Sequence, residues 1–392
     1  MNVVGIICEY NPFHFGHKYQ IEEAKRLTGS EYAVAVMSGN FVQRGEPALM
    51  SKSSRVKTAL EEGADIVLEL PLTYACSSAQ FFAQGAVSVL SSSGVVTHLS
   101  FGSESGDLSK IVDAADNFES KQASIKEELS RGASYAKAVE SLTGIAKGDS
   151  NDILAVEYIR ALKKYSSDMI PLPVKRVSEL SSGEKIYSAA EIRNAILKHS
   201  GEPKKIAAIC GKFLPSFSSK NALEELSAGR FPVCLENFSQ VFFAKLRSGG
   251  PDFIKNLPGV SEGLENKLYD ASLDSTSLEE LISSCVSKRY TASRIKRILV
   301  HALVCGGNFY GYDQRRPVPY IRVLGMRKEA SKLSEMIAEK SSVPYVMSNA
   351  DAYKICPELA RSEAAANDVY SVCFPCGTAK GRREYTDKFT VI

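Results

Sequence analysis

The chain has 392 residues, 44% hydrophobic and 24% charged, with a formal net charge of +3. That length exceeds what one hydrophobic core organises, so two or three domains are expected, and the composition excludes a disordered or bilayer-built chain. A charge so near zero neither requires nor excludes a nucleic-acid partner, because local clustering hides beneath a balanced total. The N-terminal residues lack the basic start and apolar length of a secretion signal, no stretch approaches a transmembrane helix, and nine scattered cysteines read as reduced thiols. The expectation is a cytoplasmic protein with no membrane partner.

Over the first hundred residues short apolar runs alternate with amphipathic stretches, the pattern of βαβ units and a parallel sheet. Val3 to Cys8 is the first strand. A helix follows with Ile21, Ala24 and Leu27 at helical spacing, closed by Gly29. Ala33 to Met37 is a strand, Ser51 to Glu62 a helix with Val56, Ala59 and Leu60 on one face, and Ile66 to Leu68 a buried strand. Ala79 to Leu90 reads as helix, His98 to Phe101 as the fourth strand, Asn151 to Lys163 as helix, and Met169 to Lys175 as a further strand. From about Gly201 strand-like runs become scarce, and Ser277 to Cys285 and Thr291 to Val304 read as helices. After Pro319 a strand (Tyr320 to Leu324), a helix (Glu329 to Glu339) and a strand (Val343 to Met347) follow. The fold class is therefore α/β: a Rossmann-like parallel-sheet domain over 1–200, a helical domain over 201–318, and a small α/β C-terminal domain over 319–392. There is no internal repeat.

In an open parallel sheet, ligands sit beyond the carboxyl ends of the strands, where loops and helix N-termini converge. Glu9 to His17 follows the first strand, Ser38-Gly39-Asn40 the second, Glu69-Leu70-Pro71 the third and Gly102-Ser103-Glu104 the fourth, so these four loops are expected to share one crevice. His14 and His17 lie three apart at the opening of the first helix, which projects both imidazoles from one turn. Gly16 between them has no side chain, which lets a nucleotide lie against the backbone with the imidazoles and the free N–H groups of the helix start facing its phosphates; phosphate binding is the expectation. Two chance surface histidines, or a transition-metal pair, are the alternatives; no cysteine or third histidine stands nearby to complete a zinc set.

His14-Phe15-Gly16-His17 matches the H-x-G-H signature of the HIGH nucleotidyltransferase superfamily. The longer context is more specific: Glu9 to His14, Met37 to Ala48, Gly63 to Pro71 and Phe101 to Glu104 resemble the tRNA(Met) cytidine acetate ligase family. The resemblance continues through Lys288 to Thr291 and Tyr320 to Gly325. It implies that 1–200 is a HIGH-type nucleotidyltransferase domain in which ATP activates acetate to acetyl-adenylate. The acetyl group then passes to N4 of the wobble cytidine of elongator tRNA(Met).

Carried over by residue, ATP binding falls on Ile7, Cys8, Glu9, Tyr10, Asn11, Pro12, Phe13, His14, Phe15, Gly16, His17, Lys18, Tyr19 and Gln20. It extends to Gly102, Asn151, Arg176 and Ser188, and His14, His17 and Arg193 form the catalytic set. A helix N-cap for Asn151 and a solvated charge for Arg176 are the plain alternatives. Ser188 to Arg193 resembles the second phosphate motif, S-x-[ST]-x-I-R, with Ala190 where the hydroxyl residue stands. Ser188 with Glu191 also fits an ordinary capping box, and Arg193 is expected to face the leaving pyrophosphate. Mg²⁺ is expected with the triphosphate; Asp65 and Glu69 are open to a role as its ligands or to a structural one.

Lys288, Arg289, Tyr290, Arg294 and Arg297, with Lys296, gather at one helix start, a composition suited to tracking phosphates and stacking a base. A solvated helix face is the plain alternative; with the resemblance, the segment is read as RNA-binding. Lys380, Arg382 and Arg383 form a second basic group, and Cys373-Phe374-Pro375-Cys376 reads as incidental thiols. Two rival functions are an adenylyltransferase acting on a small cofactor precursor and a non-catalytic tRNA-binding protein.

Overall fold

Apolar, β-branched segments bounded by turn residues become strands, and in the computed structural model ten of them lie among the described residues. Those residues are 1–120, 150–179, 183, 185–261, 263–304, 312–377, 379–387 and 389–392. The strands are β1 (Val3–Cys8), β2 (Tyr32–Ser38), β3 (Phe41–Val42), β4 (Glu46–Pro47), β5 (Ile66–Leu70), β6 (His98–Ser103), β7 (Ile170–Lys175), β8 (Ile321–Met326), β9 (Tyr345–Val346) and β10 (Thr390–Val391). The main sheet runs β10-β8-β5-β2-β1-β6-β7, with β9 beside β8.

β1 is central and pairs in parallel with β2 on one side and β6 on the other. Residues of β2 and β5 are buried throughout, because helices cover both faces of a parallel sheet. The chain leaves β1 through the helix Phe15–Thr28 toward β2 and returns later to β6 across β1, so the topological switch falls between β1 and β6. That helix ends at Gly29, whose φ of 59° closes it in the left-handed conformation.

Residues 319–392 supply strands and helices as the alternation implied, but the strands extend the first sheet instead of building one of their own. β8 lies antiparallel to β5, pairing Leu68 with Val323 and Ile66 with Met326, and β10 pairs in parallel with the far end of β8. A wholly buried β5 would otherwise expose an unpaired edge. Short-range periodicity carries no information about such a partner, which arrives about 250 residues later. The β3–β4 hairpin was also absent from the sequence reading, since two-residue strands have no measurable period.

Helices Pro203–Phe213 and Ser216–Ser227 pack with the helix Ala189–Lys198 and with Leu49 and Met50. Helices Ser239–Lys255, Leu264–Asp274, Leu278–Cys285 and Ala292–Val304 bury Phe242, Leu246, Leu268, Ile295 and Leu299 together with Phe41, Leu72 and Tyr370. The helical region and the sheet thus share apolar contacts. Among the described residues no helix is long and apolar enough to cross a membrane.

Candidate nucleotide site

β1 ends at Cys8, and a tight turn brings the chain to the helix that starts at Phe15. Tyr10 in this turn has a φ of 46°, a left-handed conformation that costs a non-glycine residue about 1–2 kcal/mol. Its buried ring, edge-on to Phe13 at 4.7 Å and to His17 at 5.0 Å, holds it there; strain of this kind gathers at functional turns. His14 is the N-cap. Its Nδ1 accepts the Gly16 N–H at 3.0 Å, and the His14 N–H donates to Nδ1 of His17 at 3.3 Å. The two rings stack with centroids 3.9 Å apart and planes at 30°.

This pattern fixes the tautomers. Each Nδ1 accepts a backbone N–H, so in a neutral ring the proton sits on Nε2. Burial, reinforced by the fields of Arg176 and Arg193, pushes His14 down to about 3 and holds His17 well below the ordinary imidazole value. At neutral pH the pair is uncharged and presents two Nε2–H donors at a helix N-terminus, a ready anion site. Gly16 has to be glycine here, because a Cβ would stand 2.7 Å from His14 Cε1. At the end of β6, a Cβ on Gly102 would meet only Arg176 Cγ, at 3.9 Å, leaving open backbone beside that guanidinium.

Arg193 donates from Nη1 to the Asn11 carbonyl at 2.8 Å, which anchors it at the turn. Arg176 is exposed, and its N–H donates to Ser103 O at 2.9 Å, continuing the β6–β7 pairing. Ser188 and Glu191 form the reciprocal capping box that starts the helix Ala189–Lys198, with Ala190 exposed. Asn151 does not cap a helix. It lies inside the first turn of the helix Ser150–Lys164, and its Nδ2 donates to Glu104 Oε1 at 2.5 Å. Asp152 beside it accepts the N–H groups of Glu104 and Ser105 at 3.1 Å each, so this helix start and the loop after β6 are fastened together.

Within Ile7 to Gln20 the residues divide. Cys8, Tyr10, Asn11 and Phe13 are buried, and Asn11 Oδ1 accepts the Leu49 N–H at 2.8 Å; these residues form the bed beneath the histidines. Ile7, Phe15, Tyr19 and Gln20 are half-buried, Pro12 is buried in the turn, and Lys18 pairs with Glu62 at 3.1 Å. Glu9 is held through the Gln43 N–H, at 2.8 Å from Oε1. Burial raises its carboxyl above the usual carboxylate range.

Several expectations are corrected. The loops after β2 and β5 do not join the crevice as open groups. Asn40 binds the Lys52 N–H at 2.6 Å and Asn367 at 3.0 Å, while Glu69 faces Lys52 at 2.5 Å and Arg322 at 3.2 Å. Asp65 pairs with Lys25 at 2.6 Å and accepts the Ala33 N–H at 2.7 Å. Both carboxylates raised as Mg²⁺ ligands are therefore committed to ion pairs, and no group of three acidic, His or Cys side chains suited to a metal exists among the described residues.

Of the basic segment, Lys288 and Arg289 are exposed, but they precede the helix. Tyr290 is only 8% exposed, bonded to Ser261 and flanked by Arg289 and Arg294, so it offers no stacking platform. Arg294 donates to Gly259 O at 3.0 Å and Arg297 to Gln43 O at 3.3 Å. Arg383 pairs with Asp387 at 3.2 Å, whereas Lys380 and Arg382 are exposed. Cys373 is buried, Cys376 is exposed, and both are free thiols.

Sequence reasoning missed Arg55. Fully buried, it donates from Nη1 to Glu9 O at 2.6 Å and Ser38 O at 3.1 Å and from Nη2 to Gly39 O, tying the ends of β1 and β2 together. A lone arginine on an amphipathic helix gives no signal that it points inward.

The family model for HIGH Nucleotidyl Transferase matches residues 1–385. The chain is 37% identical to the tRNA(Met) cytidine acetate ligase of Acetivibrio thermocellus, over 100% of both chains. It is 40% identical to that of Fervidobacterium nodosum, covering 94% of this chain and 89% of the other. A crystal structure of Thermotoga maritima TmcAL bound with alpha-thio ATP superimposes with a TM-score of 0.89 at 32% identity, over all of both chains. The paired histidine turn at the switch point thus sits in a fold and a sequence that agree along their whole length, and the chain belongs to the tRNA(Met) cytidine acetate ligase family of HIGH nucleotidyl transferases.

Proposed function

We propose that this protein activates acetate with ATP and transfers the acetyl group to N4 of the wobble cytidine of elongator tRNA(Met). The observation that carries the chemistry is the neutral, stacked His14–His17 pair, whose two Nε2–H groups stand at a helix N-terminus with Arg176 and Arg193 close by. A carboxylate oxygen of acetate attacks the α-phosphorus of ATP and the bond to pyrophosphate breaks. The two imidazoles and two guanidiniums hold the triphosphate and stabilise charge passing to the leaving group. The amine of cytidine then attacks the acetyl carbonyl carbon, the carbonyl carbon–oxygen bond to AMP breaks, and the amine loses a proton. No protein nucleophile is needed for either step.

Mg²⁺ belongs to this reading as an ion carried on ATP phosphate oxygens, since the carboxylates near β5 are paired. The names of the relatives support tRNA(Met) as the acceptor. In this reading residues 1–200 bind ATP and 201–318 face the RNA, with Lys288 and Arg289 as the cations of the basic segment open to it.

The test is to incubate the protein with ATP, acetate and an elongator tRNA(Met) transcript, following acetate-dependent pyrophosphate exchange and acetylated cytidine. Adenylylation of a small cofactor precursor in place of both would refute the reading. Loss of neither signal in a folded H14A/H17A variant would refute the assignment of the site.

A further inference from the structure

The β3–β4 hairpin takes no part in the nucleotide contacts above, yet it is mounted on two parts of the protein. On one side, the Gln43 N–H donates to Glu9 Oε1 at 2.8 Å, at the end of β1. On the other, Lys296 meets Glu46 at 2.5 Å and Arg297 donates to Gln43 O at 3.3 Å. Gly45, with a φ of 76°, lies so close to the helix Ala292–Val304 that a Cβ there would stand 2.3 Å from Arg297 N. Between these anchors the tip carries Arg44, whose exposed guanidinium has no ion pair or hydrogen bond among the described residues.

The charge of Arg44 acts on Glu9 and on Arg193. The cations that hold the two histidines down are instead Arg176 and Arg193. Arg44 therefore lies near Glu9 and Arg193, next to Gln43 whose N–H holds Glu9, on the hairpin packed against the helix Ala292–Val304.

We propose that Arg44 binds the RNA substrate, its guanidinium taking a backbone phosphate next to the acceptor nucleotide. This rests on the acetyl-transfer reading above. An acceptor amine that reaches an adenylate held over the first helix brings its flanking phosphates close to the end of β1, where the hairpin is fastened through Gln43 and Glu9. A planar guanidinium on a mount fixed from both sides meets a phosphate through two parallel N–H bonds. Such a contact sets register without reading sequence. In the acetyl-transfer reading Arg176 and Arg193 serve the triphosphate, and Arg44 is the further cation assigned to the RNA.

The experiment compares R44A and R44K with the wild-type protein in acetate-dependent pyrophosphate exchange, transcript acetylation kinetics, and transcript binding over a salt series. R44A is expected to keep exchange within about twofold while the KM for transcript rises roughly tenfold and the slope of log affinity against log salt becomes shallower by about 0.7, the value for one single-stranded phosphate contact. R44K is expected to recover the salt slope but only part of the KM, because it keeps the charge and loses the fork. Parallel loss of exchange and transfer in R44A would put the guanidinium on the nucleotide and overturn the proposal, as would unchanged transcript affinity and slope. If wild-type protein binds transcript but acetylates nothing, the acetyl-transfer reading fails, while the R44A binding slope still decides the phosphate contact.

Discussion

Gly16→Ala separates function from stability in a way few substitutions at this turn would. A Cβ at position 16 would lie 2.7 Å from His14 Cε1 and 3.0 Å from Nδ1, whereas comfortable carbon contacts need roughly 3.5–4.0 Å. The His14 ring has to swing by about 1 Å, away from the Gly16 N–H that it accepts and off the face of His17. The lost cap bond costs about 1 kcal/mol, but alanine in place of glycine in a helix returns about 0.5–1 kcal/mol. Net stability should move by less than about 1 kcal/mol. In the proposed site the displaced Nε2–H is a charge-assisted donor to phosphate, worth about 1.5–3 kcal/mol, so ATP affinity should fall roughly 10- to 150-fold. Calorimetric ATP titration together with urea unfolding of the same variant makes the comparison. A G16A protein that folds normally and binds ATP as tightly as wild type would show that the histidine turn does not hold the nucleotide.

Acid should weaken the fold through the same pair. Unfolded His14 titrates near 6.5 and folded His14 near 3, so its contribution is fully present above about pH 6.5 and is lost as pH falls toward 3, by at most about 5 kcal/mol. H14N, which keeps a capping acceptor, should flatten that acid limb in urea unfolding measured from pH 7 to pH 4; an unchanged slope would count against burial of a neutral ring. Lys52 is buried between Glu69 and Glu384, so K52M should cost about 3–5 kcal/mol by leaving carboxylates under-compensated. A denaturation midpoint equal to wild type would deny that the cluster holds β8 and the C-terminal segment to the sheet. G45A combines a left-handed φ with a backbone clash and should lower the melting temperature through a loss of about 2 kcal/mol or more. A melting temperature within a degree of wild type would mean that the hairpin is not packed against the helix Ala292–Val304.

What was legible in the sequence follows from the range of the forces involved. The first βαβ unit shows itself because its period and Gly29 are local, and the pairing of His14 with His17 around Gly16 is readable because their spacing on one turn is itself the geometry. The Ser188–Glu191 capping box was readable for the same reason. Arg55, Lys52 and Glu69 were not, since each is an ordinary charged residue whose burial depends on partners far along the chain. Glu384, for example, meets Lys52 across 332 positions. The contacts of the basic segment were not legible for a related reason: composition counts cations, but Arg294 and Arg297 donate to carbonyls of Gly259 and Gln43, and the Tyr290 ring is buried. Arg44 shows the opposite case: nothing local in its glycine-bearing turn marks it, yet its side chain is exposed and makes no ion pair or hydrogen bond among the described residues.

The neutrality of the two histidines explains how such a crevice exists before any nucleotide arrives. Two imidazolium rings with centroids 3.9 Å apart would repel by about 4 kcal/mol at an effective dielectric constant near 20. Arg176 and Arg193 would add to that repulsion, as the fields that already depress His14 demonstrate. Backbone N–H groups held at both Nδ1 atoms remove the problem, because they stabilise rings that donate without carrying charge. The positive potential is left to two guanidiniums, one anchored at the Asn11 carbonyl and one at the surface. The turn is therefore assembled by the fold itself, with its donors already oriented as the proposed triphosphate site requires.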